Sequence, residues 1–127
     1  MRCQGLTVDV PVRSLAEAGP FYELCLDRPA DLMPRPGILE WILHEPPQIA
    51  LRLVEDPERA GSARVGFGVV DVNVERGRLT RELRGLPEVR AIPGVIALLE
   101  LRDGDGNGLT LWQDLMLDRA SGSDGRA

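Results

Sequence analysis

The chain has 127 residues, a formal net charge of −5 and a sequence pI near 4.9. That length suits one domain with a core of its own, and the acidic balance argues against nucleic acid, whose phosphates are held by basic surfaces. All fifteen basic residues are Arg, which excludes Schiff-base and Lys-base chemistry. No apolar run approaches the ~20 residues that span a bilayer, and the N-terminus, MRCQGLTVDV, lacks the apolar segment of a signal peptide. The expectation is a cytoplasmic protein with neither a membrane nor a nucleic-acid partner. Cys3 and Cys25 form neither a metal-ligand spacing nor a disulfide framework.

From Leu6 to Val12, apolar residues alternate with Thr7, Asp9 and Pro11, the pattern of a half-buried strand. Pro11 cannot donate to a ladder, which places it at an edge or a strand end. Ser14-Leu-Ala-Glu17 reads as a capping box opening a helix to about Leu26, with a kink or late start expected at Gly19-Pro20. Pro29 to Gly37 reads as a Pro-rich loop. Strands are expected at Ile38–His44 and Gln48–Glu55, joined through Glu45-Pro46-Pro47. The polar stretch from Asp56 to Ala63 is the linker candidate.

The second half starts again with a strand, Arg64–Asp71, which sets Val65, Phe67 and Val69 on one face and Arg64, Gly66 and Gly68 on the other. Asn73 is expected to cap a helix over Val74–Arg84, ended by Gly85. A short strand at Arg90–Ala91 precedes longer ones at Val95–Arg102 and Leu109–Asp114. Between these last two lies Asp103-Gly-Asp-Gly-Asn-Gly108, and apolar runs bounded by Gly, Asn and Asp signal a hairpin. Asp103, Asp105, Asn107 and Gly108 also fit the opening of a calcium loop with Asp114 at its twelfth position. That loop requires flanking helices and a bidentate Glu, so the hairpin is preferred. The tail over residues 118–127 is small and polar, and is expected to be disordered.

The order strand, helix, three strands, one of them poorly defined, is thus stated twice. Val12 to Leu15 falls on Val69 to Val72 at an offset of 57, and Leu51-Arg52-Leu53 falls on Leu109-Thr110-Leu111 at 58. Two copies at so long a period make a duplicated module rather than a solenoid. Residues 1–117 form a single domain in this reading, with module one over 6–56, a linker over 57–63 and module two over 64–117.

The chain resembles the vicinal oxygen chelate superfamily, which includes glyoxalase I, bleomycin-binding resistance proteins and extradiol dioxygenases. The resemblance runs from about Leu6 to Asp114. It is carried by Val12-Arg-Ser-Leu15, Phe21-Tyr22 and Leu26 in the first module, and by Val69-Val-Asp71 and Asp103-Gly-Asp-Gly-Asn107 in the second. It implies an α+β fold of two tandem βαβββ modules whose sheets curve around a cavity. The family's enzymes usually hold a divalent metal on four strands, and the matching positions here are Thr7, Arg52, Arg64 and Thr110. None is a usual ligand type, and a guanidinium offers only N–H donors and a fixed positive charge. No metal or other cofactor is therefore expected.

Alternation adds Asp9 beside Thr7, Trp112 beside Thr110, and Glu100 beside Leu98 and Arg102. It sets Glu40 and His44 on one face of their strand, opposite Leu39, Trp41 and Leu43. Arg52 and Arg64 then stand as anchors for an anionic ligand, or else pair with Asp9 and Glu100 and only fill space. Trp41 and Trp112 favour a flat ligand. The leading expectation is a homodimeric, metal-independent protein that captures a polar or anionic aromatic small molecule through Thr7, Asp9, Arg52, Arg64, Thr110, Trp112 and Trp41. One alternative is a cofactorless isomerase, cyclase or lyase using His44 with Glu40, Asp9 or Glu100. Another is a metal-dependent glyoxalase- or dioxygenase-like enzyme using His44, Glu40 and Glu100.

Overall fold

The computed structural model describes residues 1–116, so the tail over 118–127 lies outside the described residues. Eight strands and two helices succeed one another as β1 (Gly5–Val12), α1 (Leu15–Leu26), β2 (Leu32–Arg35), β3 (Ile38–His44), β4 (Gln48–Glu55), β5 (Arg64–Gly68), α2 (Val72–Leu79), β6 (Arg90–Ile92), β7 (Ile96–Arg102) and β8 (Gly108–Asp114). They build two four-stranded sheets, ordered β1-β4-β3-β2 and β5-β8-β7-β6. The second order is the first repeated, which is the duplicated βαβββ module. Contacts divide the described residues into two compact units: residues 1–65 with 102–108, and residues 66–101 with 109–116.

In the first sheet, β1 runs parallel to β4, while β3 runs antiparallel to β4 and β2 to β3. Helix α1 packs on β4 and β3, and the face it covers carries Val10, Val12, Trp41, Leu51 and Leu53, all fully or nearly fully buried with Tyr22. Each such side chain contributes about 2 kcal/mol of apolar burial. In the second unit, Ala97, Leu99, Leu109 and Leu111 are buried in the same alternating pattern, and Val72 and Leu79 of α2 are fully buried.

Both helices start through the same device. Ser14 Oγ accepts from the Glu17 N–H at 3.3 Å, and Asp71 Oδ1 accepts from Asn73 and Val74. A strand residue then reaches the first helical N–H: Glu55 Oε1 accepts from Leu15, and Gln113 Oε1 accepts from Val72, each at 3.0 Å. The offsets are 72 − 15 = 57 and 113 − 55 = 58, so the duplication extends to the orphan donors of the helix termini. Glu55→Ala and Gln113→Ala should each cost about 1 kcal/mol in urea unfolding, the ordinary value of a lost cap, with Glu55→Gln close to neutral.

Four expectations are corrected. Helix α2 opens at Val72 rather than Val74, because the Asp71 carboxylate caps it in place of Asn73. It also ends at Leu79 rather than Arg84; Gly77 weakens its last turn, and Thr80 Oγ1 donates back to the Gly77 carbonyl. Helix α1 has no late start and runs from Leu15 through Pro20, with buried Gly19 close to Leu39. The Pro-rich stretch contains β2, which tolerates Pro34 because it lies at the edge of the sheet. No helix among the described residues is long and apolar enough to cross a membrane.

Candidate functional site

The face of the first sheet turned away from α1 is polar at its centre. Register sets Thr7 opposite Ala50, Asp9 opposite Arg52, and Glu40 opposite Arg52 from the other side. Arg52 grips Asp9 as a fork, Nε to Oδ1 at 2.8 Å and Nη2 to Oδ2 at 3.0 Å, the planar two-point geometry that guanidinium and carboxylate share. The Asp9 hydrogen bond raises the Arg52 guanidinium above its ordinary pKa, and the charges of Asp9 and Glu40 add to that. One guanidinium thus faces two carboxylates, which leaves this patch one negative charge in excess. The Arg52 fork is spent within the sheet.

His44 does not join Glu40. The register between β3 and β4 slips by one residue after Ile42, so that Ile42 opposes Ala50 while His44 opposes Ile49. Such a bulge puts two residues against one and shifts the face of the residues beyond it. Ile49 alternates with Ala50 and Arg52, so His44 lies on the opposite face from Glu40, exposed, with Nδ1 3.2 Å from the Pro47 carbonyl. The expected pairing of imidazole and carboxylate fails because of that one extra residue. Trp41 is corrected as well: it is fully buried, its indole N–H donates to the Arg28 carbonyl at 3.0 Å, and its ring packs near Tyr22. It belongs to the core.

In the second sheet, Glu100 bonds Arg90 across β6 and β7 rather than Arg64. The Arg64 guanidinium, at the start of β5, has no ion-pair partner among the described residues. The face away from the buried Leu109 and Leu111 carries Thr110 and Trp112, and Trp112 is 38% exposed. Its indole lies across two glycines of β5. A Cβ on Gly66 would stand 3.4 Å from Trp112 Nε1, and one on Gly68 would stand 2.8 Å from Cζ2. Sequence reasoning misses the role of these glycines, although their alternation in Arg64-Val-Gly-Phe-Gly68 places both on the face of Arg64.

The Asp103–Asn107 stretch is the turn of the β7–β8 hairpin. Asp103 Oδ1 accepts from the Asp105 and Asn107 N–H groups, each at 2.9 Å, and Oδ2 accepts from the Tyr22 hydroxyl at 2.7 Å and Asn107 Nδ2 at 2.8 Å. Asp105 Oδ2 accepts from the Arg13 N–H, Asn107 Oδ1 accepts from the Ala63 N–H, and Asn107 Nδ2 also donates to the Pro11 carbonyl. The oxygens that a calcium loop would turn on its ion are turned on hydrogen-bond donors instead. Burial, then the bond to Asp103, pushes the Tyr22 phenol well above its ordinary pKa.

No protein-family model matches the sequence, and a search of curated proteins finds no match. Among solved structures, the chain is similar to a glyoxalase/bleomycin resistance protein from Catenulispora acidiphila DSM 44928, with a TM-score of 0.78, 21% identity, and 87% of this chain and 97% of that one covered. The fold is that of the vicinal oxygen chelate superfamily. TnmS3, an antibiotic binding protein from Streptomyces sp. CB03234, is 26% identical with a TM-score of 0.67 over 85% of this chain and 93% of that one. A bleomycin-binding protein in complex with bleomycin is 17% identical with a TM-score of 0.61 over 90% and 98%.

Enzymes of this fold usually hold a divalent ion, and the described residues at the matching positions do not fit one. The resemblance matches Arg52 to a carboxylate ligand, and in the structure its guanidinium, lacking a lone pair, is occupied by Asp9. Among the described residues no three His, Cys, Asp or Glu side chains gather closely enough to hold an ion.

Proposed function

We propose that the protein is a metal-independent small-molecule binding protein that captures a polar or anionic aromatic ligand stoichiometrically. The observation that carries this is Trp112, an indole seated on two glycines with its remaining surface open on a sheet face. Aromatic rings are gripped by such a wall through stacking and area burial together. Arg64, uncommitted among the described residues and on the strand that bears those glycines, supports the polar or anionic character of the ligand. The antibiotic-binding and bleomycin-binding proteins of like fold support capture over turnover. A homodimeric state, a cytoplasmic location and a single domain over residues 1–117 belong to the same proposal. The enzyme readings rest on His44 with Glu40, Asp9 or Glu100, and the β3 bulge sets His44 on the sheet face opposite Glu40.

The test is calorimetric titration with three probes of one ring system: naphthalene-2-carboxylate, 2-naphthalenemethanol and 2-naphthylmethylammonium. Saturable one-to-one binding of the carboxylate or the alcohol, with the probe recovered unchanged and affinity unaltered in His44→Ala, is the expected result. Melting curves with Mn2+, Ni2+ or Zn2+ should overlie those with chelator; a specific ion at a hundredfold excess over its dissociation constant would stabilise by about 2.7 kcal/mol. A stoichiometric metal, conversion of a probe, or no binding of any probe would overturn the proposal.

A further inference from the structure

Glycine inside a strand is unfavourable, since it loses more backbone freedom than other residues and packs no side chain. Two stand on one face of the five-residue β5, at Gly66 and Gly68. The backbone does not require them: neither has the positive φ found at Gly37, Gly61, Gly85, Gly94 and Gly106. What occupies the missing side-chain space is Trp112. The three atoms nearest a Cβ on Gly68 are all in its ring, Cζ2 at 2.8 Å, Cη2 at 3.0 Å and Cε2 at 3.3 Å, while Gly66 meets Nε1 and Cδ1 at 3.4 and 3.5 Å. The benzene end of the indole is therefore seated on Gly68 and the pyrrole end on Gly66.

We infer that Gly68, with Gly66, is a positioning residue for ligand binding: the pair sets how far the Trp112 ring stands above the second sheet, and so which flat ligands stack on it. This rests on the capture reading and deepens it by naming the residues that set the position of the aromatic wall. A methyl group on Gly68 cannot coexist with the present ring position, because real Cβ contacts do not come within 3.0 Å. The rigid side chain must lift at its benzene end. At Gly66 the same methyl group sits near the limit of ordinary contact, and a small displacement accommodates it.

The alternative is purely structural, with the ring merely covering bare backbone as aromatic residues do beside strand glycines. Labelling with 5-fluorotryptophan separates the two, since the protein has two tryptophans and Trp112→Phe identifies which 19F resonance belongs to Trp112. In Gly68→Ala the Trp112 resonance should move while that of buried Trp41 stays. Affinity for the naphthalene probe bound best by the unaltered protein should fall about tenfold, the scale of one aromatic contact, and Gly66→Ala should do less. In a Trp112→Ala background, Gly68→Ala should leave affinity unchanged, because the atoms it collides with are gone. A shifted resonance with undiminished affinity overturns the positioning role and leaves capture intact. Loss of affinity that persists without Trp112 overturns it too. If the unaltered protein binds none of the probes, capture itself fails and the inference with it. Should Gly68→Ala not fold, Gly66→Ala carries the same comparison with a smaller displacement.

Discussion

Asp103→Ala should lower the unfolding free energy by about 3–4 kcal/mol in urea, a loss reserved for broken buried networks. Asp103 is 6% exposed and Asn107 fully buried. Removing the carboxylate strands the Tyr22 hydroxyl and frees two turn N–H groups at once. Tyr22→Phe should cost less, about 2 kcal/mol, because Asp103 keeps its three other donors. Alkali distinguishes the two partners further. The folded chain holds the Tyr22 proton more tightly than the unfolded chain, whose phenol has the ordinary value of 10.0. That contribution is whole below about pH 10 and is lost as the pH rises above it, since the unfolded chain ionises first. Tyr22 is the single tyrosine, so tyrosinate absorbance against pH reads this group alone. Tyr22→Phe should flatten the alkaline fall in stability; an equally steep fall would contradict the assigned cause.

Trp112→Ala should weaken binding of a naphthalene probe by about 2 kcal/mol, roughly thirtyfold, with no change in probe stoichiometry. Central aromatic anchors carry a disproportionate share of binding energy, and Trp112 is the partly exposed one of the two tryptophans. Its effect on folding should be near 1 kcal/mol, the value of cross-strand ring packing, because the indole is seated on glycines rather than in the core. Trp41 is no control for this experiment. It is fully buried, and its removal would open a cavity and unfold far more than it reports.

Much of the scaffold is legible in the residues. The bounds of β3 and β4 come from apolar runs closed by Pro-Pro and by the polar stretch after Glu55. The turn at Asp103 comes from Gly and Asn chemistry, and the facing of Asp9 with Arg52 comes from period-two alternation and a parallel register. Local rules fail where one residue or one distant atom decides. Alternation assumes an unbroken ladder, so it sets His44 beside Glu40, and the bulge at Leu43 has no mark in the sequence. Asp71 reads as the end of a strand, although it stands 57 residues after the cap Ser14. The caps from Glu55 and Gln113 are contacts over 40 and 41 residues, beyond the reach of any local pattern. Alternation places Trp112 on the right strand, but the purpose of Gly66 and Gly68 emerges only when the neighbouring strand is in place.

The Asp103 turn also bears on the order in which the protein can be made. By sequence it belongs to the second copy of the module, yet it completes the first unit. Its bonds reach Tyr22 across 81 residues and Pro11 across 96. A chain emerging from the ribosome can form α1 and pair β3 with β4 early, but the Tyr22 hydroxyl and the Pro11 carbonyl wait for residues made some eighty to a hundred positions later. Such distant closure slows folding and prolongs the exposure of unfinished edges. A nascent chain halted after the linker would therefore lack the Asp103 turn and the bonds it makes to Tyr22 and Arg13, and those of Asn107 to Pro11.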